Sequence, residues 1–211
     1  MKISDIRREY RSGGLSEAEA GHDPLLLFGR WFEEARSVMG EDCNAMTLAT
    51  ADQGGRPSLR VVLLKGFGQD GFIFFSNYES RKGRELEENP QAALNFHWSP
   101  LERQVRIEGG VSKLAEPESE RYFQSRPRLS RLAAAVSPQS REIPDRRQLE
   151  KRMEELEKRL QGGEVERPPS WGGYRVHPQH IEFWQGRPGR LHDRILFQRV
   201  DEGWRRSRLA P

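Results

Sequence analysis

Hydrophobic and polar positions change their spacing several times along this 211-residue chain. Residues 1–22 are polar, carry Gly13, Gly14 and Gly21, and show no apolar stripe, a pattern that predicts a mobile N-terminal arm. Asp23-Pro24 then supplies an N-cap with proline at the first helical position. Phe28, Trp31, Phe32, Ala35, Val38 and Met39 follow at helical spacing, which predicts an amphipathic helix. From 45 to 113 the chain shifts to short runs rich in β-branched and aromatic residues, predicting strands at 46–51, 58–65, 72–76, 92–98 and 104–113. Asp52-Gln53-Gly54-Gly55 and Gly68-Gln69-Asp70-Gly71 mark turns, and 80–89 interrupts the strands as a short helix closed by Asn89-Pro90.

Helical spacing returns at 117–125, stopped near Pro127, and at 146–160, where Leu149, Met153, Leu156 and Leu160 form one stripe on a charged helix. Gly162-Gly163 and Pro168-Pro169 read as a linker before returning strands at 174–176, 181–184, 194–199 and 204–208. The helices fall between strands and do not alternate with them, and hairpin-length connections imply antiparallel pairing. The expected fold is α+β, a central antiparallel split barrel with peripheral helices, organised as the arm 1–22 and one domain 23–211.

Composition narrows the function classes. With 35% hydrophobic and 32% charged residues, any large apolar face belongs in an oligomer interface. No apolar run approaches a membrane span, and the N-terminus lacks a secretory pattern, so a cytoplasmic location is expected. Cys43 is the only cysteine, which excludes an internal disulfide and a cysteine-based cluster. The five histidines are scattered, with Pro178 between His177 and His180, so no metal site is expected. Arginine far outnumbers lysine, which suits phosphate or carboxylate recognition. A net charge of +3 does not choose among nucleic acid, phosphorylated small molecules and surface ion pairing.

Four constellations carry candidate chemistry. In the helix at 80–89, Arg81 and Lys82 sit at the N-terminal end and Glu85, Glu87 and Glu88 toward the C-terminal end, opposite to the dipole preference. Either an anion binds at that N-terminus or the helix is a plain surface one. In the strand at 58–65, period-two alternation puts Arg60 and Lys65 on opposite faces, so they share a ligand only if the strand bulges or ends before Lys65. Tyr122 and Arg126 are four apart on one predicted helix face, with Ser130 beyond the proline: a phosphate clamp or an ordinary polar surface. Strand alternation would also bring Arg190, His192 and Arg194 side by side, an arrangement that calls for an anionic or aromatic group across it.

At these residues the chain resembles the pyridoxine (pyridoxamine) 5′-phosphate oxidase family. The ordered segments are RREY at 7–10, RVVLLK at 60–65, SRKGRELEENP at 80–90, LERQVRIEG at 101–109, YFQSRPR at 122–128 and IEFWQGRPGRLHDR at 181–194. The resemblance implies a split-barrel homodimer with two FMN sites between the subunits, acting on small molecules and not on nucleic acid or membranes. It implies FMN contacts from Arg60, Val61, Val62, Leu63, Leu64, Lys65, Phe75, Ser76, Arg81, Lys82, Gln104, Gln139, Ser140, Trp184 and Arg194. Many relatives have Tyr-Thr where this chain has Phe75-Ser76, so a side-chain hydrogen bond from position 75 is lost. The implied substrate contacts are Lys65, Tyr122, Arg126, Ser130, Arg190, Leu191 and His192, with Arg7, Arg8, Glu9 and Tyr10 as a lid. The implied reaction is hydride transfer from C4′ of pyridoxamine or pyridoxine 5′-phosphate to FMN, then reoxidation by oxygen giving peroxide, with Arg190 and His192 as the catalytic pair. The readings to be excluded are a generic flavin reductase on the same barrel and a nucleic-acid-binding module.

Overall fold

Each strand expected between 45 and 113 forms, within about one residue at most boundaries: β1 (Ala45–Ala51), β2 (Pro57–Leu63), β4 (Gly71–Asn77), β5 (Gln91–Trp98) and β6 (Arg103–Lys113), with a three-residue β3 (Gly66–Gly68) added. The computed structural model describes residues 2–5, 9–11 and 13–211. The C-terminal strands are β7 (Trp171–Gln185), β8 (Asp193–Val200) and β9 (Gly203–Leu209). The helices are α1 (Glu17–Ala20), α2 (Pro24–Met39), α3 (Arg81–Glu88), α4 (Glu116–Ser125), α5 (Arg128–Val136) and α6 (Arg146–Leu160). None of the helices among the described residues is long and apolar enough to cross a membrane.

All ladders are antiparallel, in the order β2-β1-β5-β6-β7-β4-β3, with β8 added on β7 and β9 on β8. The two ends of this path, β2 and β3, are separated in sequence only by Leu64 and Lys65. The sheet must therefore curl back on itself, although its ladder stays open: a split barrel. Phe28, Phe72, Phe74, Phe96, Trp98, Phe183 and Phe197 fill the interior, each at most 1% exposed. Helix α2 plugs one side of the barrel with Leu25, Leu27, Phe28, Trp31 and Ala35, its N-terminus capped by the Asp23 carboxylate. Val38, expected on that stripe, is exposed.

Three expectations need correction. The strands foreseen at 174–176 and 181–184 are one strand, β7, because a bulge in β7 at Gln179, opposite the Glu108–Gly109 step of β6, accommodates Pro178 without ending the ladder. The bulge needs glycine, since a Cβ at Gly109 would lie 1.9 Å from the His177 carbonyl oxygen. The polar stretch to 22 is docked from Leu15 onward: Leu15 and Ala20 are buried, a Ser16–Glu19 capping box starts α1, and Glu17 pairs with Arg208. Helix α5 was not foreseen, although Pro127 followed by an Ala-rich run is a helix-starting signal.

Candidate active site

A cleft of about 940 Å³ opens beside β2, within the usual range for small-molecule sites. It is lined by β2, the end of β4, the start of α3, the α4–α5 junction and the segment at 137–140. It collects Arg60, Val61, Val62, Leu63, Lys65, Phe75, Ser76, Arg81, Lys82, Tyr122, Arg126, Ser130, Gln139 and Ser140 from the two predicted sets. Leu64 does not line it; its side chain is buried in the core and its N–H donates to the Asn44 carbonyl. Strand β2 ends at Leu63, so the parity that would separate Arg60 from Lys65 lapses and both reach the cleft.

At one end, the Ser80 side chain caps α3 and Gly83 lets the helix press onto the chain below, where a Cβ would sit 2.0 Å from the Tyr78 carbonyl oxygen. Lys82 is buried, and its ammonium donates to Ser76 Oγ at 3.0 Å, Ser80 Oγ at 3.1 Å and Gln139 Oε1 at 3.1 Å, all neutral oxygens. Burial, with the charge of Arg60 adding to it, pulls the Lys82 pKa down to about 8 despite the opposing Glu85. A buried cation held only by neutral acceptors is a fitting receiver for an anion. Arg60 donates to the Leu48 carbonyl and to the Thr50 and Ser58 hydroxyls. Arg81 Nε donates to Glu85 at 2.8 Å.

At the other end, Phe75, Tyr122 and Trp171 stack nearly parallel, the Phe75 and Tyr122 rings 3.8 Å apart. The Arg126 guanidinium lies 4.6 Å over the Trp171 ring, and burial holds its pKa below the ordinary value. Its Nη1 is buried with no hydrogen-bond partner among the described residues. Tyr122 and Arg126 do not share a helix face as expected: α4 ends at Ser125 and Arg126 is extended, as a residue before proline prefers. Ser130 comes from the separate helix α5. Trp171, which underlies this end, carried no signal beyond its proximity to the linker.

The remaining predicted residues gather elsewhere. Gln104 pairs with Trp184, and Trp184 with Arg194, in one row across β6, β7 and β8. Arg194 is engaged by the buried Glu182 at 2.8 and 3.1 Å and by the Ala210 carbonyl. His192 lies against Trp184 and Tyr10, ring centroids 4.5 and 5.1 Å away. The Arg187 N–H donates to His192 Nδ1 at 3.1 Å, which fixes the neutral ring with its proton on Nε2. Burial, and then the Arg190 charge, lower the His192 pKa. Arg190, His192 and Arg194 do not form one strand face: Pro188–Arg190 is a turn, Arg190 has φ 61°, and β8 begins only at Asp193. Gly189, also at positive φ, is what turns the chain there. Leu191 and Glu9 are exposed, and Arg7 and Arg8 lie outside the described residues.

Trp171 in the cleft and Trp184 beside His192 lie near opposite ends of the 15-residue strand β7, on the order of 45 Å apart along the strand at roughly 3.3 Å per residue. The predicted residues thus fall into two groups well separated within one chain.

Residues 32–159 match the family model described as pyridoxamine 5′-phosphate oxidase, and 171–211 match the pyridoxine 5′-phosphate oxidase C-terminal dimerisation region. A pyridoxine/pyridoxamine 5′-phosphate oxidase of Rubrobacter xylanophilus is 55% identical over 99% of this chain and 96% of its own length. One from Leptospira interrogans is 53% identical over 100% and 99%. Among solved structures, PhzG of Burkholderia lata, in complex with tetrahydrophenazine-1-carboxylic acid, superposes with TM-score 0.88 at 32% identity over 95% of this chain and 99% of that one. A pyridoxamine 5′-phosphate oxidase-related, FMN-binding protein of Nostoc punctiforme gives TM-score 0.70 at 17% identity over 90% and 100%, a likeness of fold.

Proposed function

The chain belongs to the pyridoxamine 5′-phosphate oxidase family, and from that premise we infer how its residues divide the work of an FMN-dependent oxidoreductase that converts pyridoxamine or pyridoxine 5′-phosphate to pyridoxal 5′-phosphate. The observation that carries the division is that one cleft has two cationic ends with separate partners, Lys82 with Arg81 and Arg126 over Trp171, as two phosphorylated ligands require. The Lys82 end takes the FMN phosphate, where the α3 N-terminus adds its dipole and free N–H groups. The Arg126 end, with Tyr122, Ser130 and Lys65, takes the substrate phosphate. The buried, unpartnered Arg126 Nη1 supports that fit. When bound, FMN supplies the acceptor for the C4′ hydride and the route by which it reaches oxygen as peroxide.

Trp184, Arg190, His192 and Arg194 lie within the residues that match a dimerisation region, which supports a homodimer. We assign the complete site to both subunits: the cleft of one, and Gln104, Trp184, Arg190, His192 and Arg194 of the other. The exposed row Leu59, Val61 and Leu63 on β2, which also lines the cleft, supports an interface there. His192 presents Nε2–H and Arg190 its guanidinium, so both can polarise and orient the substrate as donors. Tyr10, packed on Trp184 and His192, covers that half from the N-terminal side as a lid contact.

The test is to supply pyridoxamine 5′-phosphate under oxygen and follow peroxide and pyridoxal 5′-phosphate together. The two products should form one to one. Pyridoxal 5′-phosphate without peroxide would overturn the oxidase reading.

A further inference from the structure

Glu85, the fifth residue of α3, is 5% exposed, and a carboxylate at such depth needs several donors to remain ionised. It has four. The Thr50 and Ser58 hydroxyls donate to Oε2 at 2.5 and 2.6 Å, Arg60 Nη2 approaches the same oxygen at 3.3 Å, and Arg81 Nε donates to Oε1 at 2.8 Å. Burial alone would raise its pKa, but the hydrogen bonds from Ser58, Thr50, Arg81 and Arg60 outweigh it and hold it near 2. The two hydroxyls also accept from Arg60, so the guanidinium is tied to the carboxylate directly and through two relays.

Arg60, Arg81 and the neighbouring Lys82 all line the cleft, whereas Glu85 is not among its lining residues. Their three positive charges against one carboxylate leave two net charges, the complement of a phosphate monoester, which carries about −1.5 to −2 near pH 7. We propose that Glu85 is the positioning residue of the cofactor-phosphate end: it fixes Arg60 and Arg81 in place and sets the charge of the site to that of a dianionic phosphate ester. The proposal rests on the reading that this end takes the FMN phosphate. Without Glu85, Arg60 and Arg81 lose their common anchor, and Lys82 faces two cations with no acid to oppose them. The gain from removing a negative charge near the ligand is smaller, because Glu85 spends its charge on groups that already surround it.

The test strips flavin from the full-length protein and from Glu85→Gln, which keeps size and an acceptor oxygen, and titrates each with FMN and with riboflavin. Wild type should prefer FMN. Glu85→Gln should weaken FMN about 10-fold or more, the effect of losing one hydrogen bond to a charged group, and leave riboflavin within about 2-fold. The alkaline fall of FMN affinity should also move to lower pH, because Glu85 helps Lys82 keep its proton. In an Arg81→Ala background the Glu85→Gln effect should shrink, since part of it acts through that side chain. Tighter FMN binding, unchanged binding, or equal weakening of both flavins would overturn the proposal. Should Glu85→Gln bind neither flavin, Ser58→Ala and Thr50→Val decide, each removing one relay: FMN weakened about 3-fold with riboflavin unchanged supports the proposal, and FMN unchanged ends it. Wild type that binds riboflavin as tightly as FMN would instead overturn the assignment of this end to a phosphate.

Discussion

Lys82 and Arg126 are cationic in the same cleft for different reasons, and each makes its own prediction. The Lys82 ammonium is pulled from the ordinary lysine range to about 8 chiefly by burial. A base whose folded pKa is depressed costs stability while charged in the fold, so the flavin-free protein is penalised below about pH 8 and gains as pH rises from there toward about 10.4. A bound phosphate reverses this by pairing the charge. FMN binding near pH 9 should therefore take up protons, measurable by calorimetry in buffers of different ionisation enthalpy, and no uptake would remove Lys82 from the phosphate site. Arg126 is held by Trp171 and by burial. Arg126→Ala should keep its yellow flavin and lose about 10- to 150-fold in kcat/KM for phosphorylated substrate, the range for one hydrogen bond to a charged group. Substrate lacking the phosphate should be nearly indifferent. Equal losses on both substrates, or loss of the flavin, would break the assignment.

Two elements are poised by single contacts. Helix α3 carries Lys82 and Arg81 to the cleft only because Gly83 lets it lie on the Tyr78 carbonyl, with backbone on both sides of the contact. Gly83→Ala should cost about 1–3 kcal/mol of stability by overpacking and lower FMN affinity with it; a variant with unchanged melting and flavin content would show that the helix is free to shift. The N-terminal segment divides at about residue 13. Beyond it, Leu15 and Ala20 are buried and Glu17 is paired to Arg208, whereas Tyr10 reaches across to His192. Deleting 1–12 should leave the melting temperature and flavin intact and reduce turnover, and deleting 1–21 should also lower the melting temperature. Should the shorter deletion match the full chain in kcat and KM, the lid role of Tyr10 is wrong.

At the scale of the molecule, the proposed site shared between subunits would make assembly and cofactor binding one equilibrium. Leu59→Glu, on an outward position 73% exposed in the single chain, should yield monomers that lose FMN, and dilution of the wild type should lower flavin occupancy in step with the dimer fraction. A monomer by sedimentation that keeps stoichiometric FMN would refute the shared site.

What the sequence by itself determined was local or carried by whole motifs. Period-two runs placed β1, β2, β4, β5 and β6, Asp23-Pro24 started α2, the reversed charges of α3 raised the choice between an anion end and a plain surface helix, and the ordered segments identified the family and its cofactor. The Phe75-Ser76 departure was also legible, and the Phe75 ring stacks on Tyr122 where a phenol would have offered a hydrogen bond. What only the tertiary structure decided was every relation that depends on where the chain goes next. Arg60 joins Lys65 because β2 stops at Leu63, and Arg126 leaves the helix of Tyr122 because Pro127 follows it. Pro178 stays inside β7 because that strand bulges at Gln179 where Gly109 of β6 lets the two backbones close up, and Glu85 becomes the anchor of two arginines because Thr50, Ser58 and Arg60 arrive from β1 and β2. Spacing reports which residues share a face over a few positions, whereas a buried carboxylate's partners and a site divided between the ends of one strand are set by contacts tens of residues apart, to which local periodicity is blind.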